Sequence, residues 1–261
     1  MMDKSKRNFI KGGFATLFTA ATSANAFSLK NPGRDKKDPR YMGDKTKHYG
    51  MVIDLRQCVG CQSCTAACMV ENSVPSNQNR TSVTEMELGE FPDVRKAFLP
   101  QLCNHCDDPA CVPVCPTGAT FKREDGLVVV DSEVCWGCGY CENACPYDKR
   151  FMNKETKVID KCTFCAHRVD DGLLPSCVET CVGGARIFGD LNDKSSEISK
   201  LLANFPTSTL KKEQGTKPQV YYIGLDDRLE NVLNATIDLD DLMRKTIKME
   251  TKEWSTIKGE A

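Results

Sequence analysis

Between Cys58 and Cys181 this 261-residue chain carries sixteen cysteines, and outside that stretch it carries none. They fall into four quartets: Cys58, Cys61, Cys64 and Cys68; Cys103, Cys106, Cys111 and Cys115; Cys135, Cys138, Cys141 and Cys145; and Cys162, Cys165, Cys177 and Cys181. Each opens with C-x2-C and closes with C-x3-C, and Pro116 and Pro146 directly follow the last cysteine of the middle two. The centre of the chain is therefore organised around sulfur, and any fold must bring soft thiolate donors together in groups. Composition narrows the rest. At 40% apolar and 27% charged residues the chain can bury a core of one or two small domains. Thirty-five Lys plus Arg against 36 Asp plus Glu, with no long basic block, exclude a nucleic-acid binder. No apolar run approaches the roughly 18 residues that cross a bilayer.

The quartets match the bacterial ferredoxin pattern C-x2-C-x2-C-x3-C-P, in which three close thiolates hold one cubane and the fourth reaches to its neighbour. Sixteen ligands of this kind predict four [4Fe-4S] clusters. Two-residue gaps let a tight loop wrap three corners of a cube, and Gly60, Gly137 and Gly139 in those gaps permit the turns and the approach of amides to sulfur. The x3 step suits the start of a short helix, which the following proline ends. A four-thiolate zinc site shares the C-x2-C pairs but needs no regular third and fourth cysteine with trailing proline. Disulfides share the even count, yet runs of C-x2-C make poor structural bridges. Oxidised clusters with their thiolates would add roughly eight negative charges. Arg56, Lys149, Arg150, Lys161 and Arg168 flank the quartets and are candidates to offset that charge and tune potentials, or are plain surface bases.

Residues 1–26 have the order of an export signal: a basic start, a weakly apolar stretch from Phe9 to Ala21, and Ala24-Asn25-Ala26 as a cleavage site. Ser5-Lys6-Arg7-Asn8-Phe9-Ile10-Lys11 resembles the twin-arginine motif Ser/Thr-Arg-Arg-x-Phe-Leu-Lys, with Lys6 in place of the first arginine. That route carries folded proteins, which suits clusters inserted before the chain meets an oxidising periplasm. A periplasmic location at the outer face of the inner membrane is therefore expected. Without those residues 31 basic side chains face 35 acidic ones.

Residues 27–48, rich in Lys, Asp, Pro and Gly, read as a linker or surface strap, with the fold starting near Tyr49. VIDLRQC enters the first quartet as a strand and ARIFGDL leaves the last one the same way. ATFKREDGLVVVD predicts a hairpin about Asp125-Gly126, and RFMNKETKVID one about Lys154 to Thr156. Residues 195–204 and roughly 227–248 have helical spacing, the latter with Ile237, Leu242, Met243 and Ile247 on a partial apolar face. No glycine-rich phosphate loop or nucleophile elbow is present, and of the three histidines, His48, His105 and His167, the latter two lie beside cysteines, where structural or tuning roles are expected. No catalytic residue is assigned. Trp136 and Tyr140 are expected to pack around a cluster. The fold class expected is α+β: two fused bacterial-ferredoxin-like modules with β-hairpin insertions over residues 49–191, and a helix-rich C-terminal extension, 192–261, as a subunit contact.

VIDLRQCVGCQSC, LCNHCDDPACVPVCPTGATFKREDGLVVVD and DKCTFCAHRVDDGLLPSCVETCVGGARIFGDL resemble the iron–sulfur subunits of molybdopterin oxidoreductases related to dimethyl sulfoxide reductase, over about residues 49–191. They are most similar to the tetrathionate-reducing branch, since Cys181 is followed by Val182-Gly183-Gly184 where related subunits place Cys-Pro. The resemblance implies that the first quartet pairs with the fourth and the second with the third. One cluster would take Cys58, Cys61, Cys64 and Cys181, and its mate Cys162, Cys165, Cys177 and Cys68. The inner pair would take Cys103, Cys106, Cys111 and Cys145, and Cys135, Cys138, Cys141 and Cys115. It further implies a non-catalytic subunit passing electrons from a membrane quinol-oxidising anchor subunit to a molybdopterin catalytic subunit that cleaves tetrathionate to thiosulfate in anaerobic respiration. The equivalent subunit of a polysulfide, thiosulfate, arsenate or nitrite reductase is the alternative. A free-standing ferredoxin, or a colourless zinc or disulfide module, is the reading outside that class.

Overall fold

The computed structural model describes residues 39–89, 91–225 and 229. The signal-like segment and the helical spacing of 227–248 lie outside these, apart from Leu229. Among the described residues no helix is long and apolar enough to cross a membrane.

The chain opens with a one-turn helix α1 (Pro39–Met42) and reaches the first strand β1 (Tyr49–Asp54), all six residues of which are buried. Helix α2 (Ser63–Glu71) follows, then a long antiparallel pair, β2 (Thr81–Leu88) and β3 (Arg95–Leu102), in the register Thr81↔Leu102 to Leu88↔Arg95. Two small hairpins come next: β4 (Thr120–Lys122) with β5 (Val128–Val130), and, after the one-turn helix α3 (Tyr140–Asn143), β6 (Phe151–Met152) with β7 (Ile159–Asp160). Short helices α4 (Ala166–Asp170) and α5 (Ser176–Glu179) lead to β8 (Arg186–Asp190), helix α6 (Glu197–Asn204), β9 (Thr207–Ser208) and β10 (Val220–Ile223).

The four-stranded sheet has the order β8-β1-β10-β9, with β1 antiparallel to β8 and parallel to β10. Alternation along its central strands sorts the molecule into two sides. Met51 and Ile53 of β1 and Val220 and Tyr222 of β10 belong to the main core, which also holds Cys64, Cys103, Cys162 and Cys177. Val52 and Ile223 belong to a separate small cluster with Ile198 of α6. The sheet thus screens the cysteine-bearing side from helix α6. Helix α6 starts where the Ser196 side chain accepts from the Ser199 N–H, an N-cap typically contributing about 1 kcal/mol.

Two segments depart from expectation. The stretch after residue 191 is not simply helix-rich: β9 and β10 complete the central sheet, because Gln219-Val220-Tyr221-Tyr222-Ile223 supplies β-branched and aromatic residues for a largely buried strand beside β1. The strap before Tyr49 is also structured in its last part. Tyr41 packs its ring on Phe121 at 4.6 Å and donates its hydroxyl to Asp131, and the Glu124 N–H bonds the Met42 carbonyl at 2.9 Å. At the β4–β5 turn, buried Asp125 accepts from the Leu127 N–H at 3.1 Å and from the Arg123 guanidinium at 2.7 Å.

Candidate metal-cluster site

The first and third quartets are built alike. Backbone φ is positive at Gly60 and Gln62 in one and at Gly137 and Gly139 in the other, so each loop turns left-handed on both sides of its second cysteine before a helix begins. In α2, Cys64 and Cys68 are four residues apart and both buried. In the fourth quartet the left-handed turn falls on Phe164 and Cys165, and in the second on His105.

All sixteen cysteines are free thiols. Cys58 stands within electrostatic reach of Cys64 and Cys181, and these three line one cavity together with Cys61. Cys68 is within electrostatic reach of Cys165 and Cys177, and Cys162 of Cys68 and Cys177 and also of Cys103. Cys106 is close to Cys103, Cys111 and Cys145. The chain therefore brings the last cysteine of the fourth quartet to the first quartet, the last of the first to the fourth, and the last of the third to the second. We call these the first set (Cys58, Cys61, Cys64, Cys181), the second (Cys162, Cys165, Cys177, Cys68) and the third (Cys103, Cys106, Cys111, Cys145). Cys135, Cys138, Cys141 and Cys115 remain as the fourth.

The surroundings suit a negatively charged sulfur-rich group. Backbone N–H groups of Thr120, Ile159, Phe164 and Ala185 point at the sulfurs of Cys115, Cys135, Cys162 and Cys181 at 3.2–3.5 Å. Burial, reinforced by neighbouring thiols, pushes the Cys68 and Cys106 thiols up to about 12. Such groups stay protonated until a metal displaces the proton. Burial also opposes the Cys115 thiolate, but the Thr120 and Thr117 hydrogen bonds outweigh it and lower that pKa. Next to Cys103, the buried Asn104 amide has no partner at Nδ2 or Oδ1, and its N–H group is the kind of donor that a cluster sulfide satisfies. Among the described residues no three His, Cys, Asp or Glu side chains converge as ligands of a single ion would.

The flanking bases divide into two kinds. Arg56 pairs with Asp54 at 2.6 Å, and Arg168 with Glu71 and Glu179, so both are spent on carboxylates. Lys149 donates to Gln101. Arg150 and Lys161 are buried, and Arg150 donates to Cys111 Sγ at 2.9 Å. Sequence reasoning missed Arg186, also buried, which donates to Cys177 Sγ at 3.7 Å. Its signal was available: Arg186 lies five residues after Cys181, as Arg150 lies five after Cys145.

His105 is fully buried, stacked on Phe164 at 3.8 Å, and accepts the Val128 N–H at Nδ1; burial holds it neutral, well below the usual histidine range. His167 instead lies at the surface against Glu71. Trp136 and Tyr140 do not pack inward: they are 80% and 61% exposed, around the exposed Cys138. Val59 and Val182 are similarly exposed, as is the other exposed cysteine, Cys61.

Residues 57–120 and 94–191 match two family descriptions of the 4Fe-4S dicluster domain. A tetrathionate reductase subunit of Salmonella typhimurium is 50% identical over 230 residues, covering 87% of this chain and 90% of the relative. Its counterpart from Archaeoglobus fulgidus, also a tetrathionate reductase subunit, is 42% identical over 201 residues, 77% of this chain and 92% of the relative. A selenate reductase subunit of Mesobacillus selenatarsenatis is 41% identical over 206 residues, 66% of this chain and 70% of the relative.

Proposed function

This chain belongs to the family of these tetrathionate reductase subunits, iron–sulfur proteins built on 4Fe-4S dicluster domains, and from that premise we propose that it is the electron-transfer subunit of a complex reducing tetrathionate to thiosulfate. In this reading it is not itself catalytic. The four cysteine sets hold four [4Fe-4S] clusters, the donor is a membrane quinol-oxidising subunit, and the acceptor is a molybdopterin catalytic subunit. When bound, the clusters supply reversible one-electron exchange, with potentials spanning roughly −700 to +450 mV according to their surroundings. The chain supplies ligation, spacing and those surroundings.

What supports this reading is that thiols of the first and fourth quartets lie within reach of one another, and Cys145 of the third within reach of the second. Two outlying loops support it further. Cys61 with Val59 and Val182, and Cys138 with Trp136 and Tyr140, are the places where a cysteine is exposed beside large apolar side chains. We assign them to the two partner subunits.

Protein purified without oxygen is expected to be brown and to carry about sixteen irons per chain; a colourless, iron-free product would end the proposal. A strain lacking the chain should lose anaerobic growth on tetrathionate and regain it when the intact chain is restored. Loss on thiosulfate, polysulfide or arsenate instead would keep the relay and replace its acceptor. We also place the protein in the periplasm. Replacing Lys6 and Arg7 by glutamine should then block its export, whereas unchanged export would mean that it travels bound to a partner.

A further inference from the structure

Four Lys and Arg side chains are buried among the described residues: Arg123, Arg150, Lys161 and Arg186. Arg123 is neutralised by Asp125 and Asp170. Among the described residues the other three form no ion pair with a carboxylate. Arg150 divides its guanidinium between Thr120 Oγ1, at 3.1 Å, and Cys111 Sγ. Arg186 repeats the arrangement, with Thr81 Oγ1 at 2.9 Å and Cys177 Sγ. The Lys161 ammonium donates to the carbonyls of Val128 and, at 2.7 Å, Cys162. A buried cation without a counter-charge is expensive, so these three need anions that the protein's carboxylates do not supply.

The sulfurs supply them, in a regular order. Arg150 is within electrostatic reach of Cys111, Cys103 and Cys145 of the third set and of Cys141 of the fourth. Lys161 reaches Cys103 and Cys111 of the third set and Cys162 of the second. Arg186 reaches Cys177 and Cys162 of the second set and Cys64 of the first. Each cation faces two sets, and successive cations share one.

We infer that Arg150, Lys161 and Arg186 are positioning charges, one for each gap in a row running fourth, third, second, first set, and that each raises the reduction potentials of the two clusters beside it. The inference rests on the four-cluster reading above. A cubane with four thiolates gains a further negative charge on reduction. In a low-dielectric interior a fixed cation favours that reduced state over the oxidised one. Because each cation faces two sets, it shifts neighbouring clusters together.

The test uses the intact complex carrying Arg150→Gln, Lys161→Gln or Arg186→Gln, with Arg150→Lys, Lys161→Arg and Arg186→Lys as charge-keeping companions. Iron and sulfide are counted per chain, and each cluster's potential is followed by electron paramagnetic resonance during redox titration. Each glutamine variant should lower two potentials and leave two unchanged. The Lys161 variant should share one shifted cluster with each arginine variant, while the two arginine variants share none. The charge-keeping variants should stay near wild type. Unmoved potentials, a uniform shift of all four clusters, or equal shifts in both kinds of variant would overturn the inference. If a glutamine variant loses iron, retention in its companion would uphold the role of charge and loss in both would refute it there. Fewer than four clusters in the wild-type complex would instead bring down the underlying reading, and the inference with it.

Discussion

Quinol-linked tetrathionate reduction should fall to background in a Cys103→Ser complex, while reduction by the catalytic partner fed with artificial dyes stays near wild type. Cys103 is buried in the main core and belongs to the third set, inside the row. Serine preserves the shape of the side chain but offers a hydroxyl where a soft thiolate is needed. The loss should therefore be confined to one cluster, visible as one missing resonance with the other three retained. A relay in series does not survive a missing link, whereas dye bypasses it. Quinol-linked activity persisting after that cluster has gone would show that electrons do not pass this way.

A comparably large effect is expected from Gly137→Ala, and a much smaller one from Gly139→Ala two residues on. Both glycines have positive φ, +67° and +77°, so alanine at either should cost about 1–2 kcal/mol of backbone strain. Only Gly137 is also crowded: a Cβ there would lie 2.4 Å from the Lys157 backbone carbonyl, while at Gly139 it meets nothing within 4 Å. Overpacking of this kind adds roughly 1–3 kcal/mol, and backbone cannot swing aside as a side chain can. The loop from Cys135 to Cys138 should then grip its cluster poorly. Bleaching of the visible absorbance on heating measures this, with Gly137→Ala expected to bleach at clearly lower temperature than Gly139→Ala. Equal temperatures would show that the Lys157 turn yields at little cost.

Much of this site was legible because its chemistry is local. Loop glycines, trailing prolines and the short cysteine gaps declare ligand geometry within a few residues, and Asp125-Gly126 does the same for the β4–β5 turn. What was hidden depends on distant partners. Strand β10 has meaning only beside β1, and no local pattern announces that parallel pairing. In β2 the apolar positions change phase between Val83 and Met86, and β3 opens on the exposed Arg95 and Lys96, so no single alternation marks a hairpin. Arg150 and Arg168 read alike in sequence, yet one is buried against a thiol and the other meets two glutamates at the surface. Trp136 and Tyr140 show the same limit, since aromatic character does not distinguish a packed ring from one presented to solvent.

The central sheet also sets a timetable. The third and fourth sets draw all their ligands from residues 103–145, so both can be filled as soon as that stretch has left the ribosome. The second set waits for Cys177 and the first for Cys181, and β1 gains its parallel neighbour only when β10 at Val220–Ile223 has been made. Contacts so far apart in sequence close late. Synthesis from the amino end thus matures one end of the conducting row, the third and fourth sets, before the other, and a nascent chain halted short of Cys177 would hold two finished sites beside two that still lack a ligand.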